Sequence, residues 1–377
     1  MAMSSLLFSR ERLAGYDPSL LRGATVLLVG AGALGNNVAL ALSLAGVGEL
    51  LVVDPDVFEV SNATRSPFFV AGAAKAAAVA SAFVRTSLLP TASASFAGSV
   101  IESLGDAPFL QADVVISAVD QQTIRAYISE QASMTGTPLV EGGFDGHRLS
   151  VSVFSNSVPS ESPCWRCGFD EVEDSGARGL CTLYAKSVEA QGAVPATQTV
   201  AQIAGGLVAE AAIAALHGVL PLDGRRLFLN VRSGRSTVVT LPPNPDCPGR
   251  HELAEPAVQL ETGADEPVAD LLDELRACGY QGEVLLPEPV VLTMPCRECG
   301  APVTVNTRRS FLRQAPKCAP DCNSSTHAPP IVVSTLPIDA PAPDVHARTL
   351  GLGPSSRFQL SDGQWLAVAH KDDFVHI

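Results

Sequence analysis

A run of β-branched and aliphatic residues, Ala24 to Val29 (ATVLLV), enters the loop Gly30-Ala31-Gly32-Ala33-Leu34-Gly35. It leaves in NNVALALSLAGVG, whose apolar spacing is helical as far as Gly46. No other feature of the chain constrains its fold as strongly. A buried strand that turns at once into a helix needs positions without a side chain, and the helix start turns N–H groups and a positive dipole end toward the sheet edge, ready for phosphate. Two more apolar runs follow, Leu50 to Val53 ending at Asp54 and Val114 to Val119 ending at Asp120, with an alanine-rich helix from about Ala71 to Arg85 between them. Strands alternating with helices predict an α/β chain with a doubly wound, parallel sheet covered on both faces. HRLSVSVF (147–154), RRLFLNV and STVVTL read as antiparallel additions, which makes the sheet mixed.

The residues after the second strand decide which nucleotide the loop suits. A carboxylate at Asp54 can accept from ribose hydroxyls. The segment PDVFEVSNATRSPFF then places Asn62 and Arg65 in a loop, and Lys75 follows in GAAKAAAV. Cations near the same phosphates stabilise a phosphoryl group in reaction, which an intact dinucleotide does not require, so the site reads as ATP rather than NAD. The competing reading makes Arg65 a surface turn and Lys75 a solvated helix position. Asp120 lies at the carboxyl edge of the sheet, where a carboxylate can hold Mg²⁺ on triphosphate oxygens; it would also serve as N-cap of the helix carrying Arg125.

Composition narrows the partners. With 25 Lys+Arg against 39 Asp+Glu, the net charge of -14 argues against nucleic acid and anionic membranes. Hydrophobic residues at 46% are enough for a folded core. The N-terminus lacks a secretory pattern, which predicts a cytoplasmic protein. The apolar window Ala201 to Leu220, interrupted by Gln202, Glu210 and His217, reads as a buried helix rather than a membrane span. Loss of periodicity near residue 255 suggests three parts: 1–255, a linker with a short helix over 256–290, and a β-rich module over 291–377. In the short helix LLDELRACGY, Leu271, Leu272, Leu275 and Cys278 share one face, which predicts a buried Cys278. Short strand runs VLLP, VVLTM, PVTV and IVV follow.

In order along the chain stand SRERL, GAGALG, Asp54 with Asn62 and Arg65, Lys75, SAVDQQTIR, CWRC and NPDC. In these motifs, over about residues 8 to 252, the chain resembles the ThiF/MoeB/ubiquitin-activating enzyme family of adenylyltransferases. The resemblance implies a Rossmann-like adenylation domain in which Gly30, Gly32 and Gly35 form the nucleotide loop. Asp54 would bind the ribose, Asn62, Arg65 and Lys75 the phosphates, and Asp120 the magnesium. It further implies that Arg10 reaches the ATP of a second protomer, hence a homodimer. Ala33, Ala63 and Ser66 depart from the family's usual residues without removing a charged group.

Nine cysteines and no export signal point to metal and thiol chemistry rather than disulfides. Cys164 and Cys167 form a C-x2-C knuckle that needs a second half-site to complete four-coordinate zinc. The family supplies a second CxxC at the NPDC position. Here Arg250 replaces its last cysteine and His251 follows, so the implied set is Cys164, Cys167, Cys247 and His251; a degenerate site without metal is the alternative. Cys296, Cys299, Cys318 and Cys322 have the spacing of a zinc ribbon, whose metal would stabilise a module with a small core. His327 is a further candidate ligand there, and the ribbon's sparse basic surroundings suit protein docking. Two zinc ions per chain are expected. Cys181, in a segment holding Arg178 and Lys186, is either a nucleophile of lowered pKa or an inert loop thiol. The family's transferring cysteine lies in this region, although an insertion separates Cys181 from Val194-Pro195.

The resemblance implies adenylation of the C-terminal glycine of a ubiquitin-like protein ending in Gly-Gly, then a thioester on Cys181 and transfer to a conjugating enzyme. Sulfur-carrier activation, a silent Rossmann-like scaffold and an NAD-dependent oxidoreductase are the other readings. The ribbon, standing where a rhodanese-like tail is absent, favours a bacterial-type conjugation pathway.

Overall fold

The structure is a computed structural model describing residues 7–158, 160–168, 195–247, 249, 251, 253–254, 257–309, 312, 316–318 and 322–377. It divides into two compact units, the first comprising 1–101, 108–253 and 373–377 and the second 102–107 and 254–372.

In the first unit, α1 (Ser9–Leu13) and α2 (Pro18–Gly23) precede β1 (Thr25–Val29). Asp17 starts α2 by accepting the Ser19 N–H at 2.8 Å, with Pro18 preset for the first turn. The chain continues through α3 (Ala33–Ala45), β2 (Glu49–Val53), α4 (Lys75–Thr86), β3 (Ser93–Ala97), α5 (Ala107–Gln111), β4 (Val114–Ser117), α6 (Gln122–Thr135) and β5 (Leu139–Asp145). Then come β6 (Arg148–Phe154), α7 (Gln198–Leu216), β7 (Arg225–Asn230) and β8 (Arg235–Thr240).

The strands build one sheet in the order β15-β3-β2-β1-β4-β5-β6-β7-β8, closed at one edge by β15 (Val375–His376). Strands β3, β2, β1, β4 and β5 run parallel, and β6 to β8 add antiparallel neighbours. The expected mixed, doubly wound sheet is therefore present. Its central strands are uniformly apolar because both faces are covered.

Val26, Leu28, Ile116 and Val140 pack with Leu34, Val38 and Leu42 of α3 and with Ala204, Val208 and Ala212 of α7. Helix α7 is long and apolar enough, by length and composition, to cross a membrane. Here its small residues pack into the core of the unit beside α3, as the interrupted apolar window predicted.

The second unit contains β9 (Val258–Gln259), α8 (Val268–Ala277), β10 (Glu283–Pro295), β11 (Pro302–Arg308), β12 (Ile331–Pro337), β13 (Arg357–Leu360) and β14 (Trp365–Ala367). Its core joins Leu271, Leu272 and Leu275 of α8 to Val284, Leu336, Phe358, Leu360 and Leu366. The stretch expected as linker thus contributes a core helix and most of a central strand, and residues 373–377 belong to the first unit.

Two expectations are corrected. Cys278 is exposed, because α8 ends at Ala277 and leaves Cys278 as its C-cap, beyond the buried turn. VLLP and VVLTM are one strand, β10, whose ladder is interrupted between Leu285 and Val290 where Pro287 and Pro289 cannot donate.

Candidate nucleotide site and cysteine clusters

The glycine loop is shaped by close backbone approach. Gly30 has φ +98° and a Cβ there would stand 2.6 Å from the Ala118 carbonyl at the end of β4, while a Cβ at Gly35 would stand 2.0 Å from the Gly30 carbonyl. Around Gly32 nothing lies within 4 Å of that position, so the space above the start of α3 is open to a ligand.

Two side chains hold the loop in place. Asp54, 7% exposed, accepts the Ala31 N–H at 2.7 Å and the Asp56 N–H at 2.9 Å. Burial pushes its carboxyl up, while those donors and nearby Lys75 act in the opposite direction. Asn36, fully buried, donates to the Ala31 and Gly32 carbonyls and accepts the Phe68 N–H at 3.0 Å. Sequence reasoning missed Asn36; its signal was the polar pair Asn36-Asn37 in the first turn of a mostly apolar helix.

The segment after β2 brings Lys75 beside Asp54 at this sheet edge. Lys75 opens α4, its N–H bonds the Asp56 carbonyl at 2.9 Å and its ammonium pairs with the Asp56 carboxylate at 2.8 Å. Asn62 accepts the Glu59 N–H at 3.0 Å in a capping box over the 3₁₀ turn Val60–Asn62, and the Arg65 guanidinium donates to the Ser61 carbonyl. Both side chains are half-buried and turned onto their own loop.

Asp120 is exposed between β4 and α6. It is not the N-cap of that helix: Gln121 holds that position, with no side-chain capping bond, and the Asp120 carboxylate lies outside the capping geometry. Arg10 is exposed on α1, whose preceding Phe8 packs its ring over Gly46. Arg125 of α6 is ion-paired to Glu141, a carboxylate 2% exposed in β5 that also faces Arg226 at 4.0 Å. Sequence reasoning missed this pair, although a lone glutamate in the apolar run PLVEGG marked it.

Seven cysteines and His251 assemble as two sets of four ligands, each with its ligand atoms within 4.8 Å of one another. In the first, Cys164 Sγ lies 3.6 Å from Cys247 Sγ and 3.9 Å from Cys167 Sγ, and Cys167 Sγ lies 3.3 Å from His251 Nε2. Tetrahedral zinc with Zn–S bonds of ~2.3 Å separates its sulfurs by about 3.7 Å, so the donor set fits that ion. The His251 Nδ1–H donates to the Ser162 carbonyl at 3.1 Å, which leaves Nε2 as the ligand atom. The contact with Cys164 Sγ and the Cys164 and Asn244 N–H groups lower Cys167 to about 5.

The second set pairs Cys296 with Cys322 at 3.7 Å and Cys299 with Cys318 at 3.5 Å, and fits zinc equally. Backbone N–H groups of Cys299 and Glu298 bring Cys296 down to about 6. His327 is not among the four ligand atoms brought together in this set; its Nε2–H donates to the Pro316 carbonyl at 2.6 Å. Cys181, Arg178 and Lys186 lie outside the described residues.

The pattern of the ThiF family matches residues 13–249. The chain is 33% identical over 239 residues to the SAMP-activating enzyme E1 of Haloferax volcanii, covering 60% of this chain and 80% of that protein. It is 31% identical over 243 residues to the sulfur carrier protein adenylyltransferase of Thermus thermophilus, covering 60% of this chain and 82% of that protein. Among solved structures, Escherichia coli MccB with ATP shares the fold at a TM-score of 0.51 and 18% identity, over 62% of this chain and 67% of that one. With the glycine loop, Asp54 and Lys75 gathered at one sheet edge and a match across most of its length, the chain belongs to the ThiF family of ATP-dependent adenylyltransferases.

Proposed function

We propose that the chain activates the C-terminal carboxylate of a ubiquitin-like protein ending in Gly-Gly and passes the acyl group through Cys181 into a bacterial-type conjugation pathway. The observation that supports it most is the direct bonding of Asp54, Asp56 and Lys75 beside an open glycine loop. Such a cradle suits a nucleotide whose phosphate is to be attacked, and the relative from Haloferax volcanii bears the name of an activating enzyme.

In this reading Asp54 accepts from the ribose hydroxyls, and Gly30, Gly32 and Gly35 let the phosphates approach the start of α3. Asn62, Arg65 and Lys75 neutralise phosphate charge once Arg65 leaves its own turn, and Arg10 is contributed by the second copy of a homodimer. Asp120 would hold Mg²⁺, which would neutralise charge on the phosphates.

An oxygen of the substrate carboxylate attacks the α-phosphorus, the bond from that phosphorus to the bridging oxygen breaks, and pyrophosphate leaves with its electron pair. No general base is needed, since a carboxylate is ionised at neutral pH. The Cys181 thiolate then attacks the acyl carbon, AMP leaves, and the thioester passes to an amine or a conjugating thiol.

A second reading is favoured by the match to the Thermus thermophilus protein: the adenylate is consumed by a sulfur donor and the product is a thiocarboxylate. ATP–pyrophosphate exchange, measured with purified protein and candidate small proteins ending in Gly-Gly, tests the shared first step. Exchange that depends on one candidate supports activation and identifies the substrate. Absence of exchange with every candidate overturns it and leaves a silent scaffold. Mass analysis of the product then separates a thioester or amide conjugate from a thiocarboxylate.

A further inference from the structure

Helix α6 is gripped at two places along its length. Near its start, Arg125 pairs with buried Glu141 and lies over the backbone of Gly143, where a Cβ would come within 3.0 Å of the guanidinium. Farther along, the residues between the two knuckle cysteines dock on it. The Trp165 N–H donates to Ser129 Oγ, 1% exposed, at 3.0 Å, and the Arg166 guanidinium pairs with Glu130.

Trp165 and Arg166 are the x2 of C-x2-C, so their conformation follows from where the Cys164 and Cys167 sulfurs are held. Cys247 and His251 complete that set from a segment more than eighty residues on, as the separations of 83 and 84 show. Asp120 stands at the other end of the path. From Ser129 back to Gln122, where α6 begins, is about 10 Å along a helix rising ~1.5 Å per residue, and Asp120 precedes that start by two residues.

We propose that the four-ligand cluster is a positioning element for α6: filling it fixes the helix through Ser129 and Arg166, and thereby holds Asp120 for nucleotide binding. The proposal rests on the reading of Asp120 as a group that acts on the ATP phosphates. A coupling of this kind is reciprocal, so ATP must also tighten metal binding by the same factor. Ser129 and Arg166 act through the helix and touch no reactant.

The test compares zinc-replete wild type, Cys247→Ser with the cluster broken, and Ser129→Ala/Arg166→Ala with all four ligands intact. ATP·Mg²⁺ affinity is measured by calorimetry, hydrogen exchange is followed across 122–135, and thermal melting together with metal content reports the fold. Cys247→Ser is expected to bind ATP about tenfold more weakly and to exchange faster in α6, a loss within the usual range of allosteric coupling. Ser129→Ala/Arg166→Ala is expected to retain the metal and its fold and to show the same weakened affinity.

Unchanged ATP affinity and unchanged α6 exchange in the double variant would overturn the proposal, and this holds even where Cys247→Ser fails to fold. Absence of ATP binding by zinc-replete wild type would overturn the nucleotide reading instead, while faster α6 exchange in the double variant would still support the grip on the helix.

Discussion

The carboxylate of Asp54 and the backbone N–H of Ala31, separated by 23 positions, meet at 2.7 Å. One side chain at the end of β2 therefore holds the glycine loop in shape, and in the proposed reading its remaining lone pairs accept from the ribose.

Asp54→Asn should weaken ATP binding by about tenfold or more, since a hydrogen bond to a charged group contributes roughly 1.5–3 kcal/mol. Calorimetry with ATP·Mg²⁺ measures the affinity, and hydrogen exchange over residues 30–36 should rise alongside it. An unchanged dissociation constant would remove Asp54 from the site.

Asp120→Ala is expected to abolish partner-dependent pyrophosphate exchange while leaving stability within about 0.5 kcal/mol, as for an exposed residue outside a cap. Denaturant melts and exchange assays run on the same preparation check both halves. Normal exchange would exclude Asp120 as the magnesium ligand.

Cys181→Ala is expected to keep adenylate formation and to lose any reducible adduct with the substrate protein. Non-reducing gels with and without thiol separate the two steps. An adduct that survives the substitution assigns the transfer to another thiol.

Metal analysis of the purified chain is expected to find close to two zinc ions. Cys247→Ser and Cys299→Ser should each remove one, because every ligand in a closed tetrahedral site is needed. A wild-type value near one, unaltered by Cys247→Ser, would empty the Cys164 cluster.

Asp265 in the second unit is held at about 2 by Arg348 and Lys371, which bond its carboxylate. Its folded pKa is depressed, so the unfolded chain binds the extra proton first and stability rises with pH across this window. That contribution should be complete above the ordinary carboxylate range and vanish as pH falls toward 2. Acid unfolding of the wild type against Asp265→Asn checks it: the variant should lose stability at neutral pH and show a shallower dependence between roughly pH 4 and 2.

Local pattern carried much of the nucleotide site. Strand, glycine turn and helix are short-range consequences of apolar spacing and of positions where a Cβ would collide, and both can be read from residues 24 to 46 alone. The placement of Asp54 and Lys75 could be read for the same reason: each sits where a regular element begins or ends. The boundaries of the second unit were harder to read. Helix α8 looks like a short isolated segment until Leu271 and Leu275 meet Leu336 and Phe358, partners far along the chain that no local period announces. Cys278 continued the apolar face in sequence, but only the packed structure shows where the buried surface under that face stops.

The sequence by itself determined the α/β class, the nucleotide loop and the residue types able to bind metal, because these follow from periodicity, turn chemistry and donor atoms. The tertiary structure alone decided which distant residues meet. It brought together the Cys164, Cys167, Cys247 and His251 set that the resemblance had implied, buried Glu141 against Arg125 and laid the knuckle on α6. Such meetings depend on the register of a nine-stranded sheet and on how its helices pack, and long-range packing leaves no mark in the spacing of neighbouring residues.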